Sequence, residues 1–279
     1  MQITAQMVGQ LRDQTGAGMM ECKKALTESD GDIEKARDIL RAKGQASAEK
    51  RAGRAAADGI VAISVHPTAI SLIELNSETD FVARNDEFKA LAHEIAGVAA
   101  AHPHGDAAEL LNAEVGGVTV RSKVDEALAK MRENIVLRRT ARIELTGNNL
   151  VGSYIHKVDN KTGVLVELTG DPNSESLQEL AKNIAMHIAA QKPKFLNRSD
   201  VSADAVERER AVLAEKTRNE GKPEAAIEKI VEGRLGKFFE QFCLLEQPYV
   251  RDGSKTIGAL AKEAGSEVIQ FALFVVGQD

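Results

Sequence analysis

The sequence predicts an α+β protein: an N-terminal three-helix module, a core of two related hairpin-plus-helix subdomains, and a protruding antiparallel helical hairpin. Three observations carry this. Apolar residues recur at helical spacing up to about Gly53, the period becomes strand-like beyond Ala57, and a hairpin-plus-helix pattern then occurs twice. The implied division is residues 1–54, 55–145 and 146–279, with the helical hairpin inserted at about 197–240.

Thr4 is placed to cap a first helix carrying Met7, Val8 and Leu11, which Thr15-Gly16-Ala17-Gly18 breaks. A second helix runs from Met19 to about Glu28. After a turn at Asp30-Gly31-Asp32, Ile33, Ala36, Ile39 and Leu40 stripe a third that ends near Gly44. The basic stretch Lys43 to Arg54, interleaved with Ala and Gly, reads as a solvated helix end and linker.

Next, Ile60, Ala62 and Ser64, then Ile70, Leu72, Ile73 and Leu75, flank a turn at His66-Pro67-Thr68, which is a hairpin pattern. Phe88, Leu91, Ile95 and Val98 mark an amphipathic helix that stops at His102-Pro103.

Ile73-Glu74-Leu75 recurs as Val166-Glu167-Leu168, and Leu91 to Ala96 recurs as Leu180 to Ala185. Each copy begins with a hairpin, Val151 to Leu168 in the second, and each helix ends at a proline, Pro103 or Pro193. The copies differ in one place: Leu75 to Leu91 spans 16 positions and Leu168 to Leu180 spans 12. The longer connection, Asn76 to Arg84, puts Phe81 and Val82 beside acidic residues in an expected exposed strand-to-helix loop, and loops on rigid scaffolds often carry function.

Between the copies, Val124, Leu128 and Met131 suit a helix leading through Arg138-Arg139 into a strand at Arg142 to Leu145. After them, Ser202 to Arg218 and Pro223 to Phe239 flank Asn219-Glu220-Gly221-Lys222, a helical-hairpin signal. Val206, Val212 and Leu213 on one helix and Ile227, Ile230 and Val231 on the other supply narrow apolar seams. Leu244 to Val250, a helix from Thr256 to Ala264, and Val268 to Val276 return the chain to a sheet.

Composition excludes several classes. The 279 residues are 43% hydrophobic and 28% charged with a net charge of −6, the balance of a folded globular protein and not of a phosphate-tracking nucleic-acid binder. No apolar run approaches the roughly 20 residues of a membrane span, and Met1-Gln2-Ile3-Thr4 does not open a leader, so a cytoplasmic protein is expected. Cys22 and Cys243 are too far apart for a disulfide framework or a four-ligand zinc site and read as buried thiols.

Enzyme chemistry finds little support. His93-Glu94-Ile95-Ala96-Gly97 begins like a two-histidine zinc helix, but Gly97 stands where the second histidine is required. His156 and His187 read as surface or satisfied histidines. Gly16-Ala17-Gly18 lacks the spacing of a phosphate loop and follows no strand. No catalytic residue, metal or cofactor is assigned, although a site could still assemble only on folding.

Specific residues then resemble the elongation factor Ts family. Leu11-Arg12-Asp13-Gln14-Thr15-Gly16-Ala17-Gly18-Met19-Met20-Glu21-Cys22-Lys23-Lys24-Ala25-Leu26 is similar to its opening signature. So, in order, are Asn76-Ser77-Glu78-Thr79-Asp80-Phe81-Val82-Ala83, Glu133-Asn134-Ile135, Met186 to Ala190 and Lys255-Thr256-Ile257-Gly258. The five matches cover nearly the whole chain.

The resemblance implies a guanine nucleotide exchange factor that embraces elongation factor Tu and promotes GDP release by disturbing the Mg²⁺ and nucleotide site. It implies partner contacts for Arg12, Met19 and Met20, for Thr79, Asp80, Phe81 and Val82 on the extended loop, and for His156; Met131 and Val250 within Pro248-Tyr249-Val250 are further carry-overs. Arg251, where relatives often have an apolar residue, and the end at Asp279 depart from the family pattern. No direct nucleotide or nucleic-acid binding is expected, and a homodimer or two-to-two complex stays open.

The same residues admit plainer roles. Met19 and Met20 could begin a core helix, although adjacent residues cannot share one helix face. Phe81 could anchor its own loop, and Asp80 could cap the following helix. The three-helix module also resembles ubiquitin-associated domains, which leaves a peptide-binding adaptor as a rival.

Overall fold

The computed structural model describes residues 3–15, 17–51 and 54–278, with the backbone alone for Arg41 and residues 44–51. Met1, Gln2, the turn residue Gly16, Gly53 and the terminal Asp279 therefore lie outside the described residues, as do most side chains of the basic stretch. Helices packed against small sheets make the fold α+β. Contacts divide the chain into two compact units, one of Met1–Arg142, Lys157–Lys161 and Phe274–Asp279, the other of Ile143–His156 and Thr162–Leu273.

In the first unit, α1 (Ala5–Thr15) starts where Thr4 Oγ1 accepts the Met7 N–H at 3.2 Å. It packs with α2 (Met19–Glu28) and α3 (Ile33–Arg51) around Val8, Leu11, Cys22, Ala25, Leu26 and Ala36. Asp30 and Gly31, both at positive φ, make the turn before α3. The third helix overruns the stop expected near Gly44 and continues to Arg51. A glycine costs a helix interior about 1 kcal/mol relative to Ala, and the Gln, Ala, Glu, Lys and Arg that follow it are among the best helix formers.

Strands β1 (Asp58–His66) and β2 (Ala69–Ser77) pair with His66 opposite Ala69, leaving Pro67 and Thr68 as a two-residue turn. Then follow α4 (Asp80–Ala83), α5 (Asp86–Ala101), the short α6 (Ala107–Leu110), β3 (Glu114–Val115) and β4 (Val118–Thr119), α7 (Val120–Met131) and β5 (Val136–Glu144). The sheet order is β1-β2-β5, and every residue of β2 is buried. Phe88, Leu91, Ile95 and Val98 of α5 meet Ile60, Ile73 and Leu75 in the core.

Strand β5 begins six residues before the expected Arg142, because Arg138 and Arg139 disguise it. The structure accommodates them with a buried carboxylate: Glu74 receives Arg139 Nε at 2.7 Å on one oxygen and Gly277 N–H at 3.1 Å on the other, with Arg138 Nη1 at 3.7 Å. Arg139 also donates to the Val275 and Gln278 carbonyls and stacks over Phe274. The Asn76 amide, 1% exposed on the same strand, has no hydrogen-bond partner among the described residues.

The second unit repeats the theme with β6 (Asn149–Ile155), β7 (Thr162–Thr169) and α8 (Glu175–Gln191). Gly152 lets β6 approach this helix: a Cβ there would lie 2.6 Å from the Ala181 carbonyl atoms. Glu167, at the position matching Glu74, is held by two neutral amides instead of arginines, Asn149 Nδ2 at 2.6 Å and Gln270 Nε2 at 2.7 Å.

Helices α9 (Ala203–Asn219) and α10 (Glu224–Phe242) turn back on each other at Gly221, which has φ of 73°. The seam differs from expectation in one member. Val212 is 59% exposed, whereas Val206 and Leu213 pack in, and the seam of α10 extends through Leu235 and Phe239. Thr217, also buried, accepts from Arg234 Nη1, a polar contact that an apolar pattern does not display.

Leu244 to Val250 is not the expected strand. Leu244–Glu246 forms a single 3₁₀ turn, and only Pro248–Tyr249 extends, as β8 pairing with β9 (Asp252–Thr256). After α11 (Ile257–Glu263), β10 (Val268–Val275) joins the sheet in the order β10-β7-β6.

Candidate partner interface

The connection from Asn76 to Arg84 is more ordered than the expected loop. Asn76 and Ser77 finish β2 inside the fold, and Asp80–Ala83 closes one helical turn, α4. Thr79 is its cap: Oγ1 accepts the Val82 N–H at 3.4 Å. This corrects the reading of Asp80 as a cap. Asp80 is instead the first helical residue, where its charge suits the helix N-terminus, and it pairs with Arg84 Nη2 at 3.0 Å. The following helix α5 is capped by Asn85, which accepts from Glu87 and Phe88.

On this turn Phe81 points outward and is 83% exposed. Val82 and Ala83 point inward against the core of α5 and β2. Burying one face of a four-residue turn while leaving an aromatic in water is the opposite of an anchoring role, so the plainer reading of Phe81 is excluded. Met19 and Met20, at the start of α2, are 47% and 65% exposed, so neither is a core filler. Arg12 is exposed on α1, and Met131 is half-buried at the end of α7 against the core of α5.

The corner between α7 and β5 reaches both the start of α2 and the Phe81 turn. Arg132, left-handed at φ of 61°, ends α7 and reaches Glu21 of α2 at 3.0 Å. Glu21 also accepts the Gly18 N–H at 3.1 Å, which fixes the entry to α2 beside Met19. One residue on, Glu133 accepts from both donors of Thr79, N–H at 3.0 Å and Oγ1 at 2.6 Å. Asn134, buried, donates its backbone N–H to Glu78 and its amide to the Arg54 carbonyl, each at 2.7 Å. Arg12, Met19, Met20, Thr79, Asp80, Phe81, Val82 and Met131 thus belong to one unit, and this corner links the start of α2 to the Phe81 turn.

Glu133 carries no mark in the sequence as a member of the site. Its contact with Thr79 bridges 54 positions, and a carboxylate just past a helix end is unremarkable locally. The only signal was its place in the Glu133-Asn134-Ile135 stretch.

His156 and Val250 are placed in the second unit, both exposed. His156 closes the β6–β7 connection, its N–H donating to the Thr162 carbonyl at 2.9 Å. Val250, 50% exposed, is held from beneath: its N–H donates to His187 Nδ1 at 3.2 Å, and His187 Nε2 donates to Gln247 Oε1 at 2.9 Å. His187 is therefore a satisfied, buried histidine, and that pair of contacts requires the neutral ring. Arg251, the departure from the family pattern, is exposed with Nη2 3.9 Å from Met186 Sδ.

Burial lowers the His187 pKa from 6.5, more than the bond to Gln247 raises it. The folded chain keeps the ring neutral where the unfolded chain protonates it, so the unfolded state binds more protons just below pH 6.5. Stability at this site is complete above pH 6.5 and is lost as pH falls below it. Thermal melting between pH 7.5 and 5 is expected to show that decline, and a His187→Gln variant to lack this part of it; equal slopes would refute the assignment.

Cys22 and Cys243 are buried free thiols, and burial pushes Cys243 up to about 11, which keeps it protonated and unreactive at neutral pH. Among the described residues, no helix is long and apolar enough to cross a membrane.

Comparison with known proteins agrees with the sequence signatures. A family model described as elongation factor TS matches residues 78–278, which begins one residue before the Thr79 cap and takes in the second unit. The chain is also 44% identical over 280 residues to the elongation factor Ts of Alkalilimnicola ehrlichii, an alignment that covers 100% of this chain and 93% of that protein, so the N-terminal helices are included. On a family match over most of its length and a full-length relative, the chain belongs to the elongation factor Ts family.

Proposed function

We propose that this protein is the guanine nucleotide exchange factor of elongation factor Tu, acting in the cytoplasm during translation elongation and performing no bond chemistry itself. Family membership supports the role. The observation that carries the mechanism is Phe81: an aromatic 83% in water, on a turn whose other face is built into the core, with the Asp80 carboxylate beside it.

The coupling is thermodynamic. A factor that binds the empty GTPase better than its GDP-bound form must weaken GDP binding by the same ratio. About 4 kcal/mol of coupling corresponds to roughly a thousandfold. Phe81 enters an apolar slot on the GTPase, Asp80 offers an acceptor next to it, and the groups that hold Mg²⁺ are displaced. Arg12, Met19 and Met20 on the first module, with His156 and Val250 on the second unit, supply the binding that offsets this distortion. The three-helix module, the two hairpin-plus-helix subdomains and the helical hairpin serve as the frame that presents these contacts.

The test is direct. Elongation factor Tu loaded with fluorescent GDP should release it faster when the factor is added, and size-exclusion chromatography should show a complex that excess GDP dissolves. A release rate independent of factor concentration would remove the proposal.

A further inference from the structure

We propose that Glu133 is a positioning residue for the Phe81 turn, an inference that rests on the exchange reading above. The reason begins with the turn itself. Four residues of helix do not hold together alone, because nucleation is unfavourable and a single turn closes too few hydrogen bonds to offset it. Phe81, being exposed, contributes no packing that would fix its own direction. Its aim is set by the backbone of Thr79 to Ala83, held at one end by Thr79 and at the other by Val82 and Ala83 packing against the core.

Thr79 has one hydroxyl proton and must use the oxygen to cap Val82. With Glu133 Oε1 taking the proton at 2.6 Å, the lone pairs are turned toward the Val82 N–H. Oε2 takes the Thr79 N–H at 3.0 Å, so two oxygens of one carboxylate grip two donors of one residue. This fixes orientation as well as distance. A glutamine could accept only one of these bonds and would present an NH₂ to the other donor.

The carboxylate is itself fixed from both sides. Arg132 is tied to Glu21, and Asn134 to Glu78 and to the Arg54 carbonyl. Glu133 therefore transmits the placement of this corner to the turn without needing to touch the GTPase.

The experiment uses the full chain and elongation factor Tu loaded with fluorescent GDP. Maximal release rate and half-saturating factor concentration are measured for the wild type, Glu133→Gln, Thr79→Val, Phe81→Ala and the double variant Glu133→Gln/Phe81→Ala. Amide hydrogen exchange at Val82 to Arg84 is followed in the free factor. Glu133→Gln, which loses one charge-assisted bond, is expected to lower the maximal rate roughly tenfold, and Thr79→Val, which loses that bond and the Val82 cap, at least as much, both with little change in half-saturation. The Val82 amide should exchange faster, and the double variant should be no slower than Phe81→Ala. Independent, multiplying losses in the double variant, or unchanged exchange at Val82 in Glu133→Gln, would overturn the inference. If Phe81→Ala itself releases GDP at the wild-type rate, the exchange mechanism fails, while hydrogen exchange still decides whether Glu133 holds the turn.

Discussion

Truncating Phe81 to alanine is expected to slow factor-stimulated GDP release about thirtyfold, the scale of a hot-spot side chain worth roughly 2 kcal/mol. Because the ring is 83% exposed, its removal takes nothing from the core, and the variant should melt within about 0.5 kcal/mol of the parent. Complex formation should weaken less than exchange slows, since Arg12, Met19, Met20 and the second unit remain. Stopped-flow release with the apparent affinity measured in parallel separates these quantities. An unchanged maximal rate would take the mechanism away from Phe81, whatever happened to affinity.

The largest effect on stability is expected at Glu74. Its side chain has no solvent exposure and faces Arg139, itself one quarter exposed, while its second oxygen accepts from Gly277. Glu74→Ala leaves a guanidinium without its counter-charge and a backbone N–H without an acceptor, and breaking a buried pair in this way costs about 3–5 kcal/mol. The melting midpoint should fall by on the order of 10 °C. Removing both charges with Glu74→Leu/Arg139→Met should recover part of this, because the unpaired cation disappears even though the Val275 and Gln278 carbonyls lose a donor. A Glu74→Ala midpoint equal to the wild type would show that the carboxylate is not what secures this segment.

What the sequence disclosed follows from which forces leave a local trace. Helices with caps and apolar stripes, such as α1 behind Thr4 and α5 with Phe88, Leu91, Ile95 and Val98, were legible because pattern and packing agree. The repeat was legible because both copies bury the same face. Strand β5 reads six residues short because an arginine satisfied by a buried glutamate looks, in one dimension, like a surface charge. By its chemistry Val212 reads as a seam residue and Thr217 does not, whereas the structure exposes the first and buries the second.

For the site, residue types were legible and their supports were not. Phe81 stood out as an aromatic in a polar connection that one repeat has and the other lacks. That the connection would coil into a capped turn depended on Glu133, whose bond to Thr79 spans 54 positions and has no local pattern. Met19 and Met20 were ambiguous for a similar reason, since exposure is decided by where α1 and α3 pack and not by α2 alone.

A lone ring in water, flanked by the Asp80–Arg84 ion pair, also bounds what the proposed Phe81 contact can add to the complex. Fully burying such a side chain gains about 1.5–3 kcal/mol, enough to tilt an equilibrium and too little to lock it. On the proposed mechanism, a factor that disengages after every round is served by a contact of that size added to its other contacts. That smallness favours turnover: a broader apolar patch at this turn would add to the hold of the other contacts and slow departure to the next GTPase molecule.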